Sequence, residues 1–204
     1  MRPPAGAASP QPARRRAGSS AAHEVRIIGG LWKRTKLPVP DKPGLRPTPD
    51  RVRETLFNWL GQDLAGWRCA DVFAGTGALG LEAASRGAAE VLLVEQDPEL
   101  VSLLRGAVAK LQASSVKVER ANGLSVLGRL APASLDLVFL DPPFDAALHE
   151  KALAAAAPLL GAEGLVYLEA PCAWNDAQLA PHGLAVLRYL RAGAVHAHLL
   201  RRTA

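Results

Sequence analysis

The tetrapeptide Asp141-Pro142-Pro143-Phe144 combines residue types that suit chemistry on a planar amine. An amine conjugated to a ring is a poor nucleophile because its lone pair is delocalised. If the Asp141 carboxylate and the Pro142 carbonyl each accept one N–H, they hold the nitrogen with its lone pair directed at the group to be transferred. Phe144 offers a flat face for a stacked base, worth about 1–3 kcal/mol in comparable nucleic-acid sites. The tetrapeptide therefore predicts group transfer to a base amine.

The same tetrapeptide also has a purely structural interpretation, in which the aspartate caps the next helix and the prolines end a strand. Its position in the chain favours the chemical interpretation. It directly follows an apolar run over 135–140, and ligands of an open α/β sheet bind at the carboxyl ends of the strands. It also lies downstream of a glycine-rich loop of the kind that binds a cofactor.

That loop begins at Asp71 and ends a predicted strand. Gly75, Gly77 and Gly80 fit the spacing G-x-G-x-x-G, and Glu95 follows 20 residues after Gly75. The pattern indicates an adenosine-type cofactor, because the glycines let the backbone approach it and the acidic residue accepts hydrogen bonds from two ribose hydroxyls. It fits both a nicotinamide dinucleotide and S-adenosylmethionine.

Asp71 helps to separate these two cofactors. A carboxylate at the strand end suits the ammonium group of the methionine part, whereas it would repel a pyrophosphate. Asn122 follows the third strand, where an amide could bind the adenine amino group, although asparagine is also an ordinary loop residue. A glycine turn that only packs a helix on a strand stays an alternative. We predict S-adenosylmethionine, bound by Asp71, Phe73, Gly75, Gly77, Gly80, Glu95, Gln96 and Asn122.

Apolar runs and Ala- and Leu-rich stretches alternate after residue 67. Strands are predicted over 69–73, 91–95, 116–119, 135–140 and 165–169, and helices over 78–87, 98–112, 123–130 and 146–159. Continuous apolar strands separated by helices indicate a parallel sheet covered on both faces, an α/β fold. The runs over 184–190 and 195–201 are joined by so short a link that they form an antiparallel pair. A mostly parallel sheet that ends in such a hairpin is the layout of the class I, Rossmann-like methyltransferases.

The N-terminal part of the chain has a different composition. Residues 1–24 are rich in Ala, Pro, Ser, Gly and Arg and are predicted to be a disordered basic tail. The Gly29-Gly30 pair predicts a hairpin within 25–32, and five prolines make 37–49 an extended loop. Thr48 is the expected N-cap of a helix that has Pro49 at its first position and ends near Gly61. The chain thus divides into the tail, an N-terminal extension over 25–64 and a domain over 65–204.

The net charge of +5 is a property of the N-terminal part. Residues 1–23 carry four arginines and no acidic residue, and residues 24–54 carry eight basic and four acidic residues. The remainder has twelve basic and fifteen acidic residues. Such a localised positive charge is expected where a protein binds a polyanion, because neutralised phosphates release their counterions.

Other function classes are disfavoured by the composition. No apolar run reaches the roughly 20 residues of a membrane span, and no secretory signal opens the chain. Cys69 and Cys172 lack a Cys-x-x-Cys spacing, so we expect reduced thiols in the cytoplasm. His196 and His198 form a close pair, but without a third ligand nearby we expect no metal site.

Six segments carry a shared pattern: RIIGG (26–30), PVP (38–40), GLRPT (44–48), DRVRETLFNWL (50–60), FAGTGALGLEA (73–83) and VFLDPPF (138–144). Together they resemble the bacterial small-subunit ribosomal RNA guanine-N2 methyltransferases. The resemblance extends from Arg26 to about Glu169. It is specific, because methyltransferases in general do not share the N-terminal block.

The resemblance implies a substrate and the residues that contact it. The substrate would be a guanine of 16S rRNA, presented in an assembled or assembling small ribosomal subunit to a monomeric enzyme. Residues that would line the RNA-facing cleft are Arg46, Arg51, Arg53 and Glu54. The last hairpin departs from the family pattern, since His196 and His198 stand where aromatic or polar RNA contacts are expected.

The leading hypothesis is therefore transfer of a methyl group from S-adenosylmethionine to the N2 amine of a guanine in RNA. The same tetrapeptide also serves an adenine N6 amine or a DNA base, so these substrates remain an alternative. A third hypothesis is a non-catalytic RNA-binding assembly factor that keeps the methyltransferase fold. A nicotinamide-dependent dehydrogenase is the weakest candidate, because it has no use for Asp-Pro-Pro-Phe.

Overall fold

The alternating apolar runs fold into strands and helices close to the predicted positions. A computed structural model describes residues 23–43, 45, 47–143 and 146–203. Its strands are β1 (His23–Arg26), β2 (Lys36–Val39), β3 (Arg68–Asp71), β4 (Glu90–Glu95), β5 (Val116–Arg120), β6 (Leu135–Leu140), β7 (Leu160–Ala170), β8 (Leu184–Ala192) and β9 (Val195–Arg202). Its helices are α1 (Asp50–Leu60), α2 (Ala78–Ser85), α3 (Pro98–Leu111), α4 (Gly123–Leu127), α5 (Ala146–Ala156) and α6 (Asp176–Leu179).

One seven-stranded sheet has the order β5-β4-β3-β6-β7-β9-β8. Strands β3 to β7 run parallel, and β9 is antiparallel to both β7 and β8. The order of connection reverses between β3 and β6, and such a switch point is where open α/β sheets bind ligands. The predicted α/β class, a mostly parallel sheet that ends in an antiparallel hairpin, is confirmed.

Several elements begin or end a few residues from their predicted bounds, and helix α6 was not predicted. Strand β7 begins at Leu160 instead of residue 165, because Leu160 pairs with Leu135 beyond a shift in the β6–β7 register. Helix α4 ends at Leu127, three residues early. Helix α6 begins with a capping box, in which Asn175 and Gln178 exchange side-chain and backbone hydrogen bonds. That Asn-x-x-Gln spacing is a helix signal that the sequence contains.

The N-terminal hairpin forms, but its turn is not the glycine pair. Strands β1 and β2 pair antiparallel, and Ile27 N–H extends the ladder by donating to Thr35 O at 2.9 Å. The hairpin therefore uses residues 36–39, which were predicted to be loop. Gly30 serves to dock the connecting loop on α2, because its φ is +71° and an added Cβ would lie 1.8 Å from the Ser85 carbonyl oxygen.

The predicted helix after the proline-rich segment also forms, with its start shifted by one residue. Pro49 is the N-cap residue, and no side chain caps the helix. Helix α1 ends at Leu60, and Gly61 follows with a φ of +95°. The apolar face packs on the sheet, where Phe57 lies 6.3 Å from Phe139 between ring centroids. The extension and the sheet therefore share one hydrophobic core.

Glu82 on α2 fixes the N-terminal extension to the sheet domain. Its carboxylate is completely buried and accepts the backbone N–H groups of Ile28 at 2.6 Å and Gly29 at 2.7 Å. It also forms ion pairs with Arg86 at 2.8 Å and with Arg53 at 3.6 Å. A buried carboxylate is tolerated when charge partners and hydrogen bonds replace water. Glu82 has both, and they come from two different parts of the chain.

Strand β1 begins inside the segment 1–24 that was predicted to be a disordered basic tail. His23 and Glu24 belong to β1, and residues 1–22 lie outside the described residues. Among the residues that are described, no helix is long and apolar enough to cross a membrane.

The buried ion pairs predict a stability effect. Glu82→Gln should lower the free energy of unfolding by about 3–5 kcal/mol, because it removes the buried counter-charge of Arg86 and leaves Arg53 with Asp50 alone. Urea unfolding followed by circular dichroism measures this. Glu150→Gln, on the exposed surface of α5, is the matched control and should change the value by less than about 0.5 kcal/mol. Equal stability of the two variants would contradict the anchoring role of Glu82.

Candidate active site

A cavity of about 800 Å³ opens at the carboxyl ends of the parallel strands. It is bounded by the ends of β3, β4, β5, β6 and β7, by the start of β9, and by the segment that leads into α1. Nine of the predicted site residues line it: Asp71, Phe73, Gly75, Glu95, Gln96, Asn122, Asp141, Pro142 and Pro143. The structure thus brings together the glycine loop and the Asp-Pro-Pro segment, which are about 65 residues apart in sequence.

The three glycines of the loop have different roles. Gly75 lines the cavity with a φ of +53°, and its N–H donates to Glu95 Oε2 at 2.9 Å. Gly77 has a φ of +78°, and an added Cβ would lie 2.6 Å from the Leu104 side chain. Gly80 packs against β4, where an added Cβ would lie 2.2 Å from Leu93. Close packing thus favours glycine at 77 and 80, and their predicted contact with the cofactor stays a prediction.

The Glu95 carboxylate is held in place by backbone N–H groups. Its Oε1 accepts from Gln96 and Asp97, both at 2.8 Å, while Oε2 accepts from Gly75 at 2.9 Å and from no other residue that the structure describes. A carboxylate oxygen has two acceptor positions. One position on Oε2 therefore remains for a ribose hydroxyl, so in this arrangement Glu95 can accept one ribose hydroxyl and not the two that were expected.

Asp71 is a buried carboxylate, 2% exposed, on the floor of the cavity. Its Oδ2 accepts the Gly80 N–H at 2.9 Å. Burial raises the pKa of Asp71 to about 7; the Gly80 N–H opposes this rise, and the nearby carboxylates of Glu95 and Glu169 add to it. Among the described residues, no cation pairs with Asp71. A cationic ligand would supply the missing charge.

Asn122 lies at the cavity and begins α4. Its Oδ1 accepts the Ser125 N–H at 3.2 Å and so caps the helix. Asn122 therefore caps a helix and also lines the cavity, and its expected contact with adenine stays a prediction. Gly123 beside it is tightly enclosed, because an added Cβ would lie 2.6 Å from the Val72 carbonyl oxygen.

Asp141 and Pro142 follow β6 and form the opposite wall of the cavity. Removal from water raises the pKa of Asp141 well above its ordinary value, and the nearby carboxylates of Glu169 and Asp71 raise it further. Pro142 is buried, whereas Pro143 is exposed. Phe144 lies outside the described residues, so its expected stacking role stays a prediction.

Glu169 is a site residue that the sequence reasoning missed. It is the second-last residue of β7. Its side chain is buried, with the residue 3% exposed, and it lines the same cavity as Asp141. Tyr167 Oη donates to its Oε1 at 2.8 Å, and the Thr48 hydroxyl also donates to its carboxylate. The sequence predicts Glu169 only as the last residue of the strand over 165–169. The available signal was an acidic residue after an apolar run, as at Asp71, Glu95 and Asp141.

The N-terminal extension covers part of the cavity. Lys42 Nζ pairs with Asp97 at 2.6 Å and with Glu99 at 2.8 Å, which ties the extension to the start of α3. The hydrogen bond from Lys42 is the largest cause that lowers the pKa of Asp97. Leu45 packs close to the position that a Gly75 Cβ would take, at 3.3 Å. The extension therefore contributes directly to the wall of the cavity.

The four residues expected to face RNA are in different environments. Arg51 and Glu54 are exposed on α1. Arg53 is completely buried, with its Nη2 on Asp50 at 2.7 Å and its Nε on the Thr48 carbonyl at 3.2 Å. The prediction that Arg53 faces RNA is wrong, because its guanidinium is used inside the protein. Arg46 lies outside the described residues.

The histidines of the last hairpin form part of its packing. His198 is buried and its Nε2 accepts the Trp174 N–H at 3.0 Å. His196 Nδ1 lies 2.7 Å from the Tyr189 hydroxyl. Within the described ranges of the chain, no group of three His, Cys, Asp or Glu side chains is arranged to hold a metal ion.

Comparisons with known proteins match nearly the whole chain. Residues 25–201 match the family model described as "Conserved hypothetical protein 95". The Ribosomal RNA small subunit methyltransferase D of Escherichia coli (strain K12) is 42% identical over 187 residues, which cover 91% of this chain and 93% of that protein.

Solved structures give the same grouping. The putative methyltransferase yhhF from Escherichia coli has a TM-score of 0.78 and 41% identity, covering 89% of this chain and 99% of that one. The putative methylase HI0767 from Haemophilus influenzae has a TM-score of 0.72 and 32% identity, covering 89% and 100%. The family resemblance and the methyltransferase fold predicted from the sequence are confirmed. This chain belongs to the Conserved hypothetical protein 95 family, the family of the ribosomal RNA small subunit methyltransferases D.

Proposed function

We propose that this protein transfers a methyl group from S-adenosylmethionine to the exocyclic N2 amine of a guanine in 16S rRNA of the small ribosomal subunit. It would act as a cytoplasmic monomer on the subunit or an assembly intermediate. The observation that carries the proposal is that Asp141 and Pro142 share one cavity with Gly75, Glu95 and Asp71. The methyltransferases named among its relatives support the reaction class.

The residues of the cavity fit S-adenosylmethionine. Asp71 is a buried carboxylate that lacks a cation among the described residues, which suits the methionine ammonium. Glu95 Oε2 keeps one acceptor position for the ribose, and Phe73 and Asn122 line the wall where an adenine would lie. A pyrophosphate would meet the three carboxylates of Asp71, Asp141 and Glu169, which repel it. When bound, the cofactor supplies an electrophilic methyl group.

Asp141 and Pro142 would hold the acceptor amine. The Asp141 carboxylate and the Pro142 carbonyl each accept one N–H, so the lone pair of the nitrogen is directed at the methyl group. Bond formation leaves one proton too many on the nitrogen. Because its pKa is raised, Asp141 is a suitable acceptor for that proton.

The positive charge of the extension would bind the RNA backbone. Arg51 is exposed in the first turn of α1, and Thr48 and Pro49, which directly precede this helix, line the cavity. A phosphate held by Arg51 would therefore lie on the same side of the molecule as the base pocket. Arg46 would extend this contact. Phosphate contacts of this kind position the RNA, and the pocket selects the base.

The choice of substrate is tested by tritium transfer from labelled S-adenosylmethionine. Purified protein is incubated with small ribosomal subunits lacking the modification, with free 16S rRNA and with duplex DNA, and the labelled nucleosides are identified by mass spectrometry. We expect N2-methylguanosine from the ribosomal substrate. N6-methyladenosine, or label in DNA, would support the alternative base-amine substrates, and no label in any sample would favour a non-catalytic assembly factor.

Asp141 is the residue whose loss should separate chemistry from cofactor binding. Asp141→Ala should lower kcat by at least about 100-fold, because one fixed acceptor of the amine is lost. Calorimetry should show the dissociation constant of S-adenosylmethionine changed by less than about threefold, since the ribose and methionine contacts remain. Glu150→Ala is the control on the exposed surface of α5. Full activity of Asp141→Ala would rule out its proposed role.

Asp71 predicts a pH dependence of cofactor binding. Its pKa is raised to about 7 by burial, so the ionised form that attracts an ammonium is lost as the pH falls. The dissociation constant of S-adenosylmethionine should rise about tenfold from pH 8 to pH 6, as measured by calorimetry. Asp71→Asn should bind more weakly and lose this dependence.

The control ligand for Asp71 is 5′-methylthioadenosine, which lacks the amino acid part of the cofactor. Its affinity should not follow the same pH profile, because no ammonium approaches the carboxylate. A pH profile that is identical for both ligands would assign the titration to another group and contradict the contact between Asp71 and the ammonium.

A further inference from the structure

We propose that Glu169 selects guanine, by accepting the ring N1–H while Asp141 and Pro142 hold the neighbouring N2 amine. The inference deepens the proposed function and rests on it. It concerns a residue that was not among the predicted site residues, and it addresses why the pocket would take guanine and not adenine.

Sheet register places Glu169 beside Asp141. Strands β6 and β7 are parallel neighbours in which Phe139 pairs with Tyr167 and Leu140 pairs with Leu168. The next residue along each segment is Asp141, directly after β6, and Glu169, near the end of β7, and adjacent strands lie about 4.8 Å apart. Both residues line the same cavity. The two carboxyl groups are therefore adjacent acceptors at one wall of the base pocket.

Two hydroxyl groups hold the Glu169 side chain as a hydrogen-bond acceptor. Tyr167 donates from β7 at 2.8 Å, and Thr48 donates from the segment before α1. Both contacts lower the pKa of Glu169, against the larger effect of burial, which raises it. On the other side of the strand, His149 Nε2 lies 3.1 Å from the Glu169 carbonyl oxygen and fixes the backbone. An ionised carboxylate has about four acceptor positions, so this arrangement leaves some for a ligand.

The chemistry of the bases makes this second acceptor selective. Beside its exocyclic amine, guanine carries the ring donor N1–H. Adenine carries the unprotonated N1 at the corresponding place, and cytosine carries the unprotonated N3. A carboxylate next to the amine-binding group therefore gains a hydrogen bond from guanine, whereas it faces an acceptor on adenine or cytosine. Sites that require a hydrogen bond reject an analogue that lacks it strongly, because the buried polar group is left unpaired.

The placement also explains why Glu169 is buried without a cation. Burial of an unpaired carboxylate is costly, and among the described residues only hydroxyl donors contact its side chain. A guanine N1–H would add a third donor. Asp141 lies in the same situation, since its pKa is raised by burial and by Glu169. A single base edge with adjacent N–H donors at N1 and N2 would satisfy both groups together.

The test uses 2-aminopurine, which has the same exocyclic amine as guanine but an unprotonated N1. RNA or subunits carrying either guanine or 2-aminopurine at the mapped target are compared by kcat/KM for the full-length protein. The wild type should favour guanine by at least about 100-fold. Glu169→Gln should reduce this ratio by at least about tenfold, because the glutamine amide can donate to the N1 of 2-aminopurine.

A binding measurement tests the same preference for guanine without methyl transfer. With S-adenosylhomocysteine in place of the methyl donor, the fluorescence of 2-aminopurine reports its departure from the base stack. In competition between the two RNAs, the affinity for 2-aminopurine RNA relative to guanine RNA should be higher for Glu169→Gln than for the wild type. Glu169→Ala should lose the preference for guanine without this gain, because alanine donates nothing.

The outcomes separate a selective role from a structural one. Glutamine has the shape of glutamate and removes a buried charge, so thermal unfolding and cofactor affinity of Glu169→Gln should match the wild type; Glu150→Gln is the exposed control. If kcat/KM falls equally for both bases and the ratio is unchanged, the proposed selection by Glu169 is overturned. If the wild type forms no N2-methylguanosine at all, the proposed function itself fails, which is a distinguishable result.

Discussion

The buried carboxylate of Glu82 connects the N-terminal extension to the sheet, and the active-site wall depends on that connection. Glu82 binds the loop after β1 through two backbone N–H groups and pairs with Arg53 of α1. Arg53 in turn donates to the carbonyl of Thr48. The Thr48 hydroxyl then donates to Glu169 in the cavity. A chain of buried polar contacts therefore runs from α2 to the base pocket, and each contact fixes the position of the next.

Carboxylates gather at the cavity because parallel strands end at one edge. Asp71, Asp141 and Glu169 lie at the carboxyl ends of the neighbouring strands β3, β6 and β7, and burial raises the pKa of each. Without ligands this accumulation of negative groups is unfavourable, since burial is the main cause of all three shifts and mutual repulsion adds to those of Asp71 and Asp141. Ligands that bring an ammonium group and several N–H donors relieve it. Part of the binding free energy of cofactor and base would thus come from charges that the fold has already brought together.

The sequence predicted the parts of the site that consist of local motifs. The glycine loop and Asp141-Pro142-Pro143 have a recognisable residue pattern. The apolar runs predicted the strands that bring these two segments to one edge of the sheet. Prediction from the sequence failed for residue types that commonly serve either a structural or a binding role. Arg53, in a basic segment, appeared to be an RNA contact, but its partner Glu82 is distant in sequence and sits among apolar residues of α2. Glu169 was missed because its importance lies in the β6–β7 register, which no local pattern contains.

Under the proposed function, the extension would combine two roles, binding of the RNA and support of the base pocket. A basic segment that only bound RNA could lie anywhere on the surface, and its basic side chains would not need partners inside the protein. Here the segment 42–53 supplies Lys42 to the start of α3, Thr48 to Glu169 and Arg53 to Glu82, while Arg51 stays exposed. Under the proposed function, RNA bound by Arg51 would be held by the same segment that contacts Glu169. Because the contacts are buried and polar, small displacements are costly. One rigid arrangement would then set both the binding of the RNA backbone and the selection of the base.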